Sequence, residues 1–200
     1  MSSRIADQHE YEDEDFRELD LQGATLESVK CHDCRFTRCN FSEILLQRCR
    51  FHNCEFIDCN LSLARLTGSG FTNVTFTGCK LVGVDWTAAY WSAVRIPGAL
   101  AFDRCVLNDC SFFGLDLREL KLIDSRAFDA DFTDTNCEDA DFRRTDFRDA
   151  LFRKTRLARA NFSEAQNYRI NIFNNDIKGA KFSLPDAIAL LDSLDIELGD

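Results

Sequence analysis

From Phe16 to Ile96 every fifth residue is apolar, mostly Phe or Leu. The series opens Phe16, Leu21, Leu26, Cys31, Phe36 and runs without a gap through Phe56, Phe76, Trp86 and Trp91. From Leu19 on, a small or branched side chain such as Ala24, Cys39, Ile44 or Val74 sits two residues before each of these centres, and the other three places are mostly polar. A period of five fits neither the strand repeat of two nor the helix repeat of 3.6, so no long regular element carries it. The chain must turn once per repeat.

If each repeat forms one short side and a corner, four repeats make a square coil of twenty residues, and coils stack at about 4.8 Å through strand-like hydrogen bonds. The sequence then predicts vertical columns of matched side chains. Phe16, Phe36, Phe56, Phe76 and Ile96 form one, Leu26, Leu46, Leu66 and Trp86 a second, and Phe112, Phe132, Phe152 and Ile172 a third. After Ile96 the phase slips by one and resumes at Phe102, with Ala127 and Asn167 the poor fits before the period ends near Phe182. The interior is expected to be a filled apolar rod held by contacts between adjacent coils, leaving only the exterior free to act.

A chain of 200 residues is long enough for one such domain. No stretch approaches the roughly 18 apolar residues that cross a bilayer, and MSSRIADQHEYEDEDF lacks the basic end and apolar run of a signal peptide, so a cytoplasmic location without membrane association is expected. A reducing compartment then argues against a disulfide framework for the ten cysteines. Eight of them fall two residues before a centre, and Cys31 and Cys137 occupy centres, so all ten should point inward as compact apolar groups. Zinc needs four ligands converging on one point, whereas these thiols lie on successive sides or along one line. Packing is therefore the preferred reading, and no metal or cofactor is expected.

His32 and His52 should lie outside, stacked twenty residues apart, as surface neighbours rather than ligands. The sequons at Asn40, Asn60, Asn73 and Asn161 come from the repeat's own preference for Asn before a centre. GSG at residue 68 lacks the strand, third glycine and helix of a dinucleotide site. The Asp139 and Asp141 carboxylates would need a concave, partly dry site for acid-base work, and a filled rod offers none. An enzyme is not expected.

ADFRRTDFRDALFRKTRLARANF, residues 140 to 162, resembles the signature of the pentapeptide repeat proteins. That resemblance implies an all-β fold, a right-handed quadrilateral β-helix. The longer strings CEFIDCNLSL, GVDWTAAYW, CEDADF, NDIKGAKFSLP and LLDSLDIEL resemble the topoisomerase-poison resistance branch of the family, most of all the albicidin-resistance proteins and, beyond them, the quinolone-resistance proteins. The branch implies a partner, DNA gyrase or another type II topoisomerase, and a homodimer formed through the C-terminal ends. A formal charge of −10 opposes direct nucleic acid binding and favours a basic partner.

The expected organisation is an acidic lead-in over 1–13, one β-helix over 14–183 with a register break near 87–101, and a short capping and dimerisation α-helix with its tail over 184–200. Trp86, Trp91, Arg95, Pro97 and Gly98 mark the break, where Thr87 to Ser92 can form a helical turn and Arg95 can rest on an indole. No large loops are expected to interrupt the coils. Leu184, Ala187, Ile188, Leu190, Leu191 and Leu194 give the C-terminal helix an apolar stripe wider than a cap needs, hence the expected dimer interface. Asp129, Asp131, Asp134, Glu138, Asp139, Asp141, Asp146 and Asp149 are the candidate topoisomerase-facing surface. A dimeric rod of about 80 Å would lie where a duplex carries about 47 charges, well above twice the −10 of one chain, so any imitation of DNA must rest on local patches and shape.

Overall fold

The structure, a computed structural model, describes residues 5–92, 97–194 and 196. The chain winds as a right-handed quadrilateral β-helix of parallel ladders. One side of the square carries the column Phe16, Phe36, Phe56, Phe76, Phe102, Leu122, Phe142, Phe162 and Phe182, and the eight steps between them count eight coils. We call this side 1. Side 2 follows in chain order through Phe41 and Phe147, side 3 through Leu46 and Phe132, and side 4 through Phe51 and Leu157. Phe16, Phe36, Phe56, Phe76, Phe112, Phe132 and Phe152 are all buried, as the period predicts. Neighbouring rings in a column stack, with Phe36 and Phe56 centred 4.7 Å apart at 13° and Phe132 and Phe152 5.2 Å apart at 4°.

Two expectations about the columns are corrected. Phe102 stacks on Phe76, at 5.2 Å and 13°, so this coil is six residues longer than the twenty of its neighbours; Ile96, expected in that place, lies outside the described residues. A five-residue phase cannot distinguish an insertion of one residue from an insertion of six. Trp86 consequently stacks under Phe112, so the second and third predicted columns are one column on side 3. Near its top, Ile170 rather than Ile172 sits over Phe152, because the last coil is shortened by two residues at that corner.

Most corners place a residue in the left-handed region two places after the centre. Asp33, Asn53, Asp58, Asp129 and Asp149 hold it with φ between 53° and 57°, a conformation that Asp and Asn tolerate better than most. The corners come in two kinds. In closed corners the residue three beyond a centre bonds back to it, as Ala24 N to Leu21 O at 3.1 Å and Ala160 N to Leu157 O at 3.0 Å.

In open corners that bond is missing, and a side chain of the next coil bridges the gap. Cys59 Sγ donates to Phe36 O and accepts from Cys39 N, both at 3.4 Å. Ser69 Oγ does the same between Leu46 O and Cys49 N, both at 2.9 Å, and Asn175 between Phe152 O and Thr155 N. The inward cysteines are thus hydrogen-bonding residues as well as small apolar ones. All ten are free and buried, and burial pushes the Cys110 thiol up to about 12, so it is neutral at pH 7. Replacing Ser69 by Ala should leave the Leu46 carbonyl and the Cys49 amide short of partners. The expected loss is about 1–3 kcal/mol in urea unfolding, with Ser69→Cys milder because a thiol fills the same place elsewhere.

The solenoid begins before residue 14, since Glu10–Glu12 pairs in register with Lys30–His32 and Ile5 is buried. The acidic start belongs to the first coil. At the other end Asp186–Leu194 is helical, as expected, but of the 3₁₀ type rather than α.

Candidate interaction surface

The rod is filled, so its chemistry lies outside. Asp or Asn immediately before a centre accepts a hydrogen bond from the backbone two residues on. Asn40 Oδ1 takes it from Ser42 N, Asp131 from Thr133 N at 2.8 Å, Asp141 from Arg143 N at 3.3 Å and Asp146 from Arg148 N at 3.1 Å. This local capping explains the sequon-like strings at Asn40, Asn60 and Asn161 and three of the eight acids expected to face a partner, whereas Asn73 is itself a corner residue at φ 53°.

The eight acids do not share a side. Asp141 lies on side 1 and Asp146 on side 2, Asp129 and Asp149 at the corner between sides 2 and 3, Asp131 on side 3, Asp134 at the next corner, Glu138 on side 4 and Asp139 at the corner returning to side 1. They form a belt around two coils. Several are matched by arginines: Asp139 with Arg159 at 2.7 Å, Glu138 with Arg159 at 3.5 Å, Asp141 with Arg143 at 2.6 Å and Asp146 with Arg148 at 3.9 Å. The Arg159 and Arg144 guanidiniums hold the Asp139 and Asp124 carboxyls below the usual carboxylate range.

Of the eight, Asp129, Asp131, Asp134 and Asp149 enter no ion pair among the described residues. Asp109 joins them, directly in line with Asp129 and Asp149 on successive coils. The result is a carboxylate ladder with a rise of about 4.8 Å along the corner between sides 2 and 3, flanked by Asp131 and Asp134. Sequence reading missed Asp109, although the twenty-residue spacing 109, 129, 149 was available to it.

On side 4, His32 and His52 are neighbours with ring centres 5.7 Å apart, and His32 Nε2 lies 3.6 Å from Glu10. No group of three or more potential metal ligands is assembled among the described residues. At the register break, Trp86 is buried and heads a 3₁₀ turn, Trp86–Ala88, capped by Asp85, so the helical turn starts one residue earlier than predicted. Trp91 is half-buried and its indole donates to Trp86 O at 2.9 Å. Pro97 and Gly98 form the turn that rejoins the coil, with Gly98 at φ 66°. Arg95 lies outside the described residues. The cation over an aromatic ring at this place is Arg50, 4.7 Å from the centre of Tyr90, which is exposed. The six extra residues fall at the expected register break, where the sequence read a slip of one.

The 3₁₀ helix repeats every three residues. Leu190, with Ala187 and Ser193 in phase, packs toward the core, and Ile172 N donates to Ser193 Oγ at 3.4 Å. Ile188, Leu191 and Leu194 make the outer stripe, with Ile188 and Leu194 exposed. Leu184 is 78% exposed, and so are Phe173 at 72% and Ile196 at 54%, two residues the sequence reading did not single out. The end of the rod is therefore an open apolar surface. No helix among the described residues is long and apolar enough to cross a membrane.

A family model described as a pentapeptide repeat region matches residues 29–100, and one described as pentapeptide repeats in eight copies matches residues 15–42 and 129–166. Among solved structures, a trypsin-treated form of QnrB1, a plasmid-mediated fluoroquinolone resistance protein, aligns with a TM-score of 0.71 at 17% identity over 96% of this chain and 99% of that one. Full-length QnrB1 aligns at 0.56 and 19% identity, covering 91% of this chain and all of that one. HetL, a pentapeptide repeat protein involved in heterocyst differentiation regulation from the cyanobacterium Nostoc sp. strain PCC 7120, aligns at 0.54 and 18% identity, covering 90% and 87%. A comparison with curated proteins finds no match.

Proposed function

We propose, from the premise that the chain belongs to the pentapeptide repeat family, that it is a topoisomerase-poison resistance protein. A dimeric rod lays its acidic corner into the DNA-binding saddle of DNA gyrase or another type II topoisomerase and protects that enzyme from an inhibitor such as albicidin or a quinolone. The observation that carries this reading is the ladder Asp109, Asp129, Asp149, with Asp131 and Asp134 beside it. Carboxylates fixed at a constant rise on a rigid rod present a shaped negative field, as a phosphate strand does. The fold shared with QnrB1 and the branch-specific strings in the sequence support it.

A cleavage assay with gyrase and a poison, with and without the protein, tests the reading. Added protein should lower the trapped cleavage complex at concentrations that leave supercoiling active, and duplex DNA should displace it from the enzyme. Absence of both binding and relief would end the proposal. HetL favours a second reading, since the same fold there serves differentiation control. An adaptor with a different basic partner would bind that partner without competition from DNA.

The dimer is part of the same proposal. Ile188, Leu194 and Leu184, with Phe173 and Ile196, expose enough apolar side chain at one end to join two rods end to end. Ile188→Glu with Leu194→Glu should bring the sedimentation mass down to that of a single 22.9 kDa chain while far-UV circular dichroism is unchanged. An unaltered mass would place the interface elsewhere.

A further inference from the structure

The coil that closes the rod departs from the twenty-residue count. Ile170 pairs with Phe152 only eighteen residues on, and Asp176 regains the regular pairing with Arg156. Just before Ile170 the chain cuts the corner, with Asn167 in the left-handed region at φ 56° and Tyr168 turned into the core. The shortcut leaves a hollow of about 500 Å³ between this coil and the one below it. Its apolar lining is chiefly the exposed side chain of Leu151, beside the buried Ala150 and Phe152, and its rim carries Arg153, Lys154 and Arg169 against the single carboxylate of Asp149.

Many arginines of the rod are matched by acids on their own or the adjoining coil, as Arg38 by Glu18, Arg144 by Asp124 and Arg159 by Asp139. Arg153, Lys154 and Arg169 enter no ion pair among the described residues. Asn171 adds a donor, since its Oδ1 already accepts from Phe173 N and Asn174 N, leaving its NH₂ free to donate. Three uncommitted cations and an amide around an apolar wall match an anion with a hydrophobic body.

We propose that this hollow binds a small organic anion, an aromatic carboxylate, with its ring against Leu151 and its carboxylate among Arg153, Lys154 and Arg169. The volume lies within the range of small-molecule sites. Charge-assisted hydrogen bonds from guanidinium to carboxylate supply orientation and most of the selectivity. The inference is independent of the topoisomerase reading.

Titrating the full-length protein with 4-(trifluoromethyl)benzoate, followed by ¹⁹F NMR line width, tests it. The benzoate should broaden saturably, and the neutral 4-(trifluoromethyl)benzamide should bind about tenfold more weakly. Arg153→Ala and Arg169→Ala should each weaken the benzoate about tenfold. Lys178→Ala, on side 4, should leave it unchanged. Equal binding of acid and amide, no saturable broadening, or indifference to both arginine variants would overturn the proposal. So would a change in sedimentation mass on Arg169→Ala with no effect of the benzoate, which would make the hollow a contact between two copies.

Discussion

Replacing Phe56 by Ala should lower the unfolding free energy by about 3–5 kcal/mol, at the upper end of that range. The ring is stacked below by Phe36 at 4.7 Å and above by Phe76 at 5.0 Å, and Phe41 and Phe51 meet it edge-on at 5.9 and 5.7 Å. Those neighbours are fixed by ladders on every side of the square, so the coil cannot collapse into the void. In a solenoid each coil touches only the next, and a void at mid-column weakens the joint between two otherwise intact stacks. Urea unfolding of Phe56→Ala should therefore show a lower midpoint and a broadened or divided transition. Phe56→Leu should recover most of the loss, because Leu26, Leu46 and Leu66 build a column of the same kind on side 3. A midpoint shift under about 1 kcal/mol for the alanine variant would mean the column is not the main source of stability.

The columns were legible from sequence because burial falls on every fifth side chain. Where legibility failed, the cause was specific to the signal used. Phase counting cannot see whole repeats, so the six residues between Phe76 and Phe102 passed for one. The inward cysteines were read by size alone, yet Cys59, Ser69, Thr145 and Asn175 all bridge open corners. The appearance of Cys, Ser, Thr or Asn two places before a centre, side chains that can donate to a carbonyl of the coil below, was the available sign. The acidic run was contiguous in sequence, but five residues in sequence are a quarter turn in space, so it became a belt. At the C-terminus, Ile188, Leu191 and Leu194 fit a three-residue spacing as well as a 3.6-residue one over so short a stretch.

The protection hypothesis is sharply testable, because the corner between sides 2 and 3 carries a continuous line of unmatched carboxylates. Asp109→Lys, Asp129→Lys and Asp149→Lys together replace attraction by repulsion along the whole ladder. Lys154 already holds the same left-handed conformation at φ 53°, so the corners can accept lysine and the fold should persist. Like charges brought face to face cost several kcal/mol, and gyrase affinity should fall by at least about 100-fold, with protection from the poison lost. The matching Asn triple removes charge but keeps the corner preference. It should fall between the two, with a shallower dependence on salt. Exchanging Asp124 and Arg144, a pair already closed on itself across two coils, leaves both the net charge and the ladder untouched and should protect as the unaltered protein does. If the lysine triple still shields gyrase, the corner between sides 2 and 3 is not the surface that meets it.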